Sequence, residues 1–213
     1  MRPARRVPGW DDTSTALHEE RLDGVMSHLS TPEVETVLDL GCGSGALLER
    51  LAAEPRLRRI VGIDRSLQAL QAARERLTHD GGSLDARLAL RQGSVTDADA
   101  DLVGFDAAVL VETIEHLEPT HLSLLERSIL TRLRPARVVI TTPNREYNVL
   151  YGLGSDEYRH PHHRFEWDRA KFEGWVSGAS GRNGYRASFE GIGPRDHRFG
   201  SPTQMAILRR DPA

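Results

Sequence analysis

The chain has 213 residues, of which 38% are hydrophobic and 28% charged, a composition that fits one globular domain and excludes a disordered chain. Its net charge of −3 argues, taken alone, against a nucleic-acid binder. The sequence has no apolar run of about 20 residues that could span a bilayer and no secretion signal, so we expect a soluble protein without a membrane partner. Its one cysteine, Cys42, has no second cysteine with which to form a disulfide, so we expect the protein to be cytoplasmic.

Alternating strands and helices are predicted along the chain. Helical spacing of apolar residues predicts a lead-in helix over Ala16–Leu29 that covers the core. Short, β-branched, apolar segments then predict five parallel strands buried on both faces: Thr36–Leu40, Ile60–Ile63, Leu88–Leu90, Ala107–Val111 and Val138–Thr142. Between them, helical periodicity covers Ser44–Ala53, Leu67–Leu77 and His121–Leu133. This order predicts right-handed crossovers and a doubly wound sheet.

The last part of the chain predicts a different arrangement. A polar loop, a helix over Asp168–Ala179 and two candidate strands, Tyr185–Glu190 and Gln204–Arg209, follow the fifth parallel strand. We interpret the last two strands as an antiparallel pair at the sheet edge. The predicted fold class is α/β, a mostly parallel seven-stranded Rossmann-like sheet with helices on both faces.

A glycine-rich turn joins the first strand to the next helix. Asp39 precedes Gly41, Gly43 and Gly45, which have the spacing GxGxG. Such a turn lets the backbone approach a ligand and directs the amides of the helix start towards it. This combination resembles the S-adenosylmethionine loop of class I methyltransferases, whereas a nicotinamide cofactor, the main competitor, prefers GxGxxG.

Two further strand ends fit a nucleoside. Asp64 ends the second strand, where a carboxylate can accept hydrogen bonds from both ribose hydroxyls. Ser94 and Val95 follow the third strand, where class I methyltransferases contact the adenine ring. Each carboxylate could alone be a helix cap or a turn residue. On three consecutive strand ends, these residues favour S-adenosylmethionine as the cofactor.

The fourth strand ends in a group of candidate metal ligands. If the chain turns helically there, Glu112, Glu115 and His116 lie at i, i+3 and i+4 and share one face. The alternative is an ordinary helix start, where acidic residues are favoured by the helix dipole.

A second cluster, His160, His162 and His163, lies in the loop after the fifth strand. This loop could bring an imidazole onto the glutamate face, although the histidines of a surface loop could also have no role. Two carboxylates and two imidazoles suit Mg²⁺ or Mn²⁺ and leave positions open for a hydroxyl substrate. A vicinal diol is the best chelator, and in RNA only the 3′-terminal nucleotide offers one. The residue pattern alone leaves open which histidine binds.

Several segments closely resemble the small-RNA 3′-terminal 2′-O-methyltransferase family of the Hua-enhancer type. They are Glu112-Thr-Ile-Glu115-His116, Thr141-Thr-Pro-Asn144 and His163-Arg-Phe-Glu166-Trp167, within a resemblance over Leu17–Arg209. The resemblance implies an enzyme whose metal-binding and catalytic residues are Glu112, Glu115, His116 and His163. It places the cofactor at Asp39–Gly45, Asp64 and Ser94. It also implies an RNA 3′ end with free 2′ and 3′ hydroxyls as partner and suggests an RNA repair enzyme as a second one.

The prediction for the whole chain is one domain over residues 1–213. It comprises a lead-in helix region over 1–35, a cofactor-binding core over 36–150, and a metal-ligand loop, helix and final strands over 151–213. Residues 131–213 hold 14 basic and 9 acidic side chains, and we expect Arg145, Arg159 and Arg164 to hold RNA phosphates. Two alternative functions are a metal-assisted O-methyltransferase acting on a small diol and a catalytically silent RNA-binding module.

Overall fold

A computed structural model describes residues 16–78, 82–97 and 99–212 of the chain. Residues 1–15 of the predicted lead-in region lie outside the described residues. The lead-in helix α1 covers Ala16–Leu29, as predicted.

The strands of the described residues form one seven-stranded sheet in the order β3-β2-β1-β4-β5-β7-β6. The bounds are β1 Thr36–Leu40, β2 Arg59–Asp64, β3 Leu88–Gln92, β4 Ala107–Val111, β5 Arg137–Pro143, β6 Tyr185–Ile192 and β7 Thr203–Arg210. Pairs among β1 to β5 are parallel, whereas β7 pairs antiparallel with both β5 and β6. The predicted fold class is confirmed, and the carboxyl ends of β1, β2 and β4 meet at one edge.

Helices cover both faces of the sheet. The remaining helices are α2 Ala46–Ala52, α3 Leu67–Leu77, α4 Leu122–Glu126 and α5 Arg169–Asn183. On one face, Leu38 and Leu110 pack in a cluster with Phe172 of α5. On the other, Val37 packs in a cluster with Val25 of α1. Side chains alternate between the faces because successive Cβ atoms of a strand point in opposite directions. None of the described helices is long and apolar enough to cross a membrane.

The helix before β5 differs from the prediction. After a 3-10 turn at Pro119–His121, α4 continues as a π-helix over Arg127–Leu133. The Arg134 amide donates to the Ile129 carbonyl at 2.9 Å, an i to i−5 bond that widens the helix. Apolar periodicity does not distinguish α-helical from π-helical turns, so the sequence predicted one continuous helix.

Candidate active site

The glycine-rich turn lies between β1 and α2, and its glycines have left-handed backbone conformations. Gly41 and Gly45 have φ values of 85° and 82°. A Cβ at Gly41 would lie 2.5 Å from Thr113 Cγ2, and a Cβ at Gly45 would lie 3.0 Å from the Ala73 Cβ. Both the backbone angle and the close packing therefore require glycine. Because Gly45 caps the helix, α2 begins at Ala46, later than predicted.

Asp64 connects this turn to the next helix. Its Oδ2 accepts a hydrogen bond from the Gly43 amide at 2.9 Å, and its Oδ1 accepts one from the Ser66 amide at 2.8 Å. The carboxylate therefore fixes the position of the glycine turn relative to the start of α3. It also lines a cavity of about 810 Å³ at the carboxyl edge of the sheet.

The cavity joins most of the predicted cofactor residues to part of the predicted metal site. Its lining includes Asp39, Gly41, Gly43, Asp64, Val95, Glu112 and His116. Gly45 and Ser94 do not line it. The Ser94 hydroxyl instead pairs with the Thr96 hydroxyl at 2.7 Å, so Val95, which is 5% exposed, forms the wall that follows β3.

Asp39 is a buried carboxyl group beneath the cavity. It is 2% exposed, and its Oδ2 has no hydrogen-bond partner. Burial, with a smaller contribution from the charge of Asp64, raises the pKa of Asp39 to about 7. An unsatisfied buried carboxyl oxygen beside a ligand cavity fits a cationic or hydrogen-bond-donating ligand group.

The pKa of Asp39 predicts a pH dependence of stability. Its carboxyl group holds a proton more tightly in the folded chain than in the unfolded chain, so its contribution is complete below about pH 4 and is lost as pH rises to about 7. We expect Asp39→Asn to remove up to about 4 kcal/mol of this pH dependence. Unfolding free energies of both proteins between pH 4 and pH 8 test this. Equal pH slopes would contradict it.

The chain after β4 does not form the α-helix considered in the sequence analysis. Glu112 has φ 47°, and Ile114–His116 is one turn of 3-10 helix. A left-handed residue other than glycine costs about 1 kcal/mol and occurs often at functional sites. The turn leaves Glu112 on the cavity and buries Glu115 completely.

The two glutamates have different environments. Thr141 Oγ1 donates to Glu112 Oε1 at 3.0 Å, and Thr142 Oγ1 donates to Glu115 Oε2 at 3.0 Å. Glu115 Oε1 is buried without a hydrogen-bond partner. Burial, followed by the charge of Glu112, raises the pKa of Glu115 well above its usual range. Such a carboxyl group is stabilised by a nearby cation.

Arg21 of α1 is a site residue that the sequence analysis missed. It lines the cavity, is 4% exposed, and its Nη2 lies 3.3 Å from Glu112 Oε2. Thr203 Oγ1 accepts from Nη2 at 3.3 Å. A signal was present, because Arg21 lies four residues from both Leu17 and Val25 and so on the apolar face of α1.

Loss of the Arg21 cation should destabilise the fold. Arg21→Met leaves Glu112 and Glu115 without this partner, and we expect the unfolding free energy to fall by about 3 kcal/mol. The double variant with Glu112→Gln should recover part of the loss. Arg182→Met, which breaks an exposed pair with Glu126, should cost far less. Denaturant unfolding measures all of these values, and equal losses in the two single variants would contradict a special role for Arg21.

Three histidines lie together beside these glutamates. Donor atoms of His116, His160 and His163 all lie within 4.8 Å of one another. The ring centroids of His116 and His163 are 4.9 Å apart. The Arg164 amide donates to the Glu115 carbonyl at 2.7 Å and joins the histidine loop to the turn after β4. The structure therefore brings the two predicted motifs together, although neither glutamate belongs to the three-histidine set.

A buried network supports His163. Its Nδ1 donates to Glu166 Oε1 at 2.6 Å, and Glu166 also accepts from Asn148 Nδ2 at 2.6 Å. Burial alone would raise the pKa of Glu166, but hydrogen bonds from His163 and Asn148 outweigh burial and lower it. With Nδ1 protonated, His163 presents an unprotonated Nε2, as in carboxylate–histidine–metal arrangements.

The expectation that Arg159 holds RNA phosphates is wrong. Arg159 is 5% exposed, and its guanidinium donates to Asn148 Oδ1 and to the Asn144 and Pro202 carbonyls at 2.5 to 2.7 Å. These bonds anchor the histidine loop to the end of β5. Arg164, in contrast, is exposed, lines the cavity and pairs with Glu118 at 3.2 Å.

The donor set fits a divalent metal. The half-buried Glu112 and the buried Glu115 lie in the same turn as the half-buried His116, whose donor atoms lie within 4.8 Å of those of His160 and His163, and Glu115 keeps an unpartnered oxygen. Mixed oxygen and nitrogen donors suit a hard or borderline cation.

The sheet order, the glycine-rich turn and the acidic end of β2 together define a class I methyltransferase fold. A family model described as a methyltransferase domain matches residues 37–136. The small RNA 2′-O-methyltransferase of Xenopus tropicalis is 32% identical over 204 residues, which cover 92% of this chain and 55% of that protein. The chain thus spans about half the length of the curated relatives it matches.

Solved structures agree with this relationship. The methyltransferase domain of bacterial CtHen1-CN is 37% identical with a TM-score of 0.80, and the match covers 91% of this chain and 99% of that chain. The chain belongs to the Hen1 family of small RNA 2′-O-methyltransferases. A chain of the Pnkp1/Rnl/Hen1 RNA repair complex has the same fold, with 23% identity, a TM-score of 0.68 and coverage of 92% of this chain and 42% of that chain.

Proposed function

We propose that this domain methylates the 2′ oxygen of the 3′-terminal nucleotide of RNA, with S-adenosylmethionine as donor and a divalent metal, Mg²⁺ or Mn²⁺. One observation carries the proposal: the cavity that contains the glycine-rich turn also contains Glu112 and His116. A methyl donor and a chelated hydroxyl would therefore lie side by side. Family membership supports RNA as the substrate class.

The cofactor residues would each have a distinct role. Asp64 would accept hydrogen bonds from the ribose hydroxyls of the donor, and the amides of the glycine-rich turn would bind its methionine part. Val95 would provide an apolar wall for the adenine ring. Ser94 would act indirectly, because its hydroxyl pairs with the Thr96 hydroxyl and does not line the cavity.

Glu112, Glu115, His116 and His163 would hold the metal. A bound divalent cation lowers the pKa of a ribose hydroxyl and fixes its orientation. Glu166 would keep His163 in the required tautomer, and Arg21 would hold the Glu112 carboxylate. Arg164 would bind an RNA phosphate at the cavity rim.

An association with an RNA repair enzyme remains a separate proposal. The chain in the Pnkp1/Rnl/Hen1 complex has only 23% identity, so its likeness supports the fold and no particular contact.

A transfer assay with labelled S-adenosylmethionine tests the proposed function. We expect label on RNA that ends in a 2′,3′-diol, and none on RNA that ends in 2′-deoxyribose or a 3′-phosphate. A chelator should abolish the signal, and added Mn²⁺ should restore it. Equal labelling of all three RNAs, or labelling of a catechol in preference to RNA, would contradict the proposal.

A further inference from the structure

We infer that His160 is not a metal ligand but a hydrogen-bond donor to an oxygen of the substrate's terminal nucleotide. The inference rests on the proposed function. It is not apparent from proximity, because His160 lies within the same three-histidine set as His116 and His163.

Hydrogen bonds at Nδ1 distinguish the three rings. His163 Nδ1 donates to Glu166 Oε1 at 2.6 Å, and His116 Nδ1 faces the His162 carbonyl oxygen at 3.4 Å. Carboxylate and carbonyl oxygens accept only, so in its neutral form each of these two rings carries its proton on Nδ1. Each therefore presents a lone pair on Nε2, which is the form that binds a metal.

His160 has the opposite arrangement. The backbone amide of His162 donates to His160 Nδ1 at 3.1 Å. An amide N–H can meet Nδ1 only where that nitrogen is unprotonated, so the proton of the ring lies on Nε2. The one lone pair of this imidazole is already used, and the ring can donate but cannot coordinate.

The backbone of His162 thus favours different tautomers in two neighbouring histidine rings. The carbonyl of His162 faces His116, while its amide donates to His160. The turn is closed by a hydrogen bond from the His163 amide to the His160 carbonyl at 3.1 Å. It is anchored on both sides, because the Arg159 amide and the His163 ring both bond to Glu166. The orientation of His160 is therefore built into the loop.

The position of His160 favours a substrate oxygen as its acceptor. Its ring centroid is 5.7 Å from that of His116 and 5.4 Å from that of His163, so it lies beside the proposed metal ligands. His160 itself does not line the cavity, whereas His162 and Arg164 of the same loop do, and Arg164 adds positive charge there. Both the 3′ hydroxyl and the last phosphodiester of an RNA offer acceptor oxygens there.

Mn²⁺ binding to the full chain, followed by electron paramagnetic resonance, separates a ligand from a donor. We expect His160→Ala to retain Mn²⁺ affinity within about threefold, whereas His163→Ala should lose about 100-fold or more. Equal losses in the two variants would make His160 a ligand and overturn the inference. This comparison needs no RNA, so it stands even where RNA methylation fails.

RNA affinity with Mn²⁺ and S-adenosylhomocysteine tests the donor role. His160→Ala should weaken binding of diol-ended RNA about 10-fold, and His160→Gln, which restores an N–H, should recover most of it. The loss should vanish on 3′-deoxy RNA if the acceptor is the hydroxyl, or on RNA with a terminal methylphosphonate linkage if it is the phosphate. An unchanged affinity in His160→Ala, a failure of glutamine to rescue, or a loss that persists on both modified RNAs would overturn the inference.

Discussion

Replacing His163 by alanine should lower the rate of methyl transfer to RNA by about 1000-fold, which corresponds to about 4 kcal/mol of transition-state stabilisation. The reason is that His163 presents an unprotonated Nε2, held by the buried Glu166, to the proposed metal site. Affinity for S-adenosylmethionine should stay nearly unchanged because the glycine-rich turn follows β1 and Asp64 ends β2, whereas His163 lies in the loop after β5. Single-turnover rates and calorimetric titration with the cofactor measure the two effects.

His162→Ala is the matched control for this variant. The His162 side chain is exposed and packs edge-on against the His160 ring at a centroid distance of 5.0 Å. The hydrogen bonds to His116 and His160 use the backbone of His162, which alanine retains. We expect its transfer rate to change far less than that of His163→Ala. A fully active His163→Ala protein would show that the proposed metal site is wrong.

Replacing Asp64 by alanine should weaken binding of S-adenosylmethionine by about 100-fold. The variant would lose the proposed charged hydrogen bonds from the ribose hydroxyls to the carboxylate, and each such bond is worth about 1.5 to 3 kcal/mol. The variant would also lose the bonds to the Gly43 and Ser66 amides that fix the turn. Calorimetric titration gives the dissociation constant directly.

Asp97→Ala provides the comparison for Asp64→Ala. Asp97 follows β3, and its exposed carboxylate pairs with Arg132 at 2.9 Å. Its removal should leave cofactor affinity unchanged. Should Asp64→Ala bind the cofactor as tightly as the Asp97 variant, the nucleoside site would have to lie elsewhere.

Most of the fold could be predicted because the strands carry a simple signal. The runs at Thr36–Leu40 and Ala107–Val111 are short, apolar and bounded by turn residues, and their bounds match the structure. The π-helical segment and the left-handed Glu112 could not be predicted in this way. Both depend on hydrogen bonds between residues whose spacing leaves no trace in apolar periodicity.

The site was predicted in part. The cofactor and metal motifs lie at one sheet edge because parallel strands place their carboxyl ends together. Arg21 was missed because α1 is separated from β4 by many residues, so its position on the apolar face of α1 indicates burial but not the pairing with Glu112. Arg159 was assigned to phosphates because sequence gives its charge and not its burial. The different tautomers of the three histidines depend on individual backbone groups, which only the structure locates.

The position of the transferred methyl group tests RNA 2′-O-methylation most directly. Diol-ended RNA would be incubated with the protein, S-adenosylmethionine and Mn²⁺, digested to nucleosides and analysed by mass spectrometry. We predict one methyl group per RNA chain, recovered as the 2′-O-methyl form of the 3′-terminal nucleoside. A methyl group on a base, on the 3′ oxygen or on an internal ribose would contradict the proposed function.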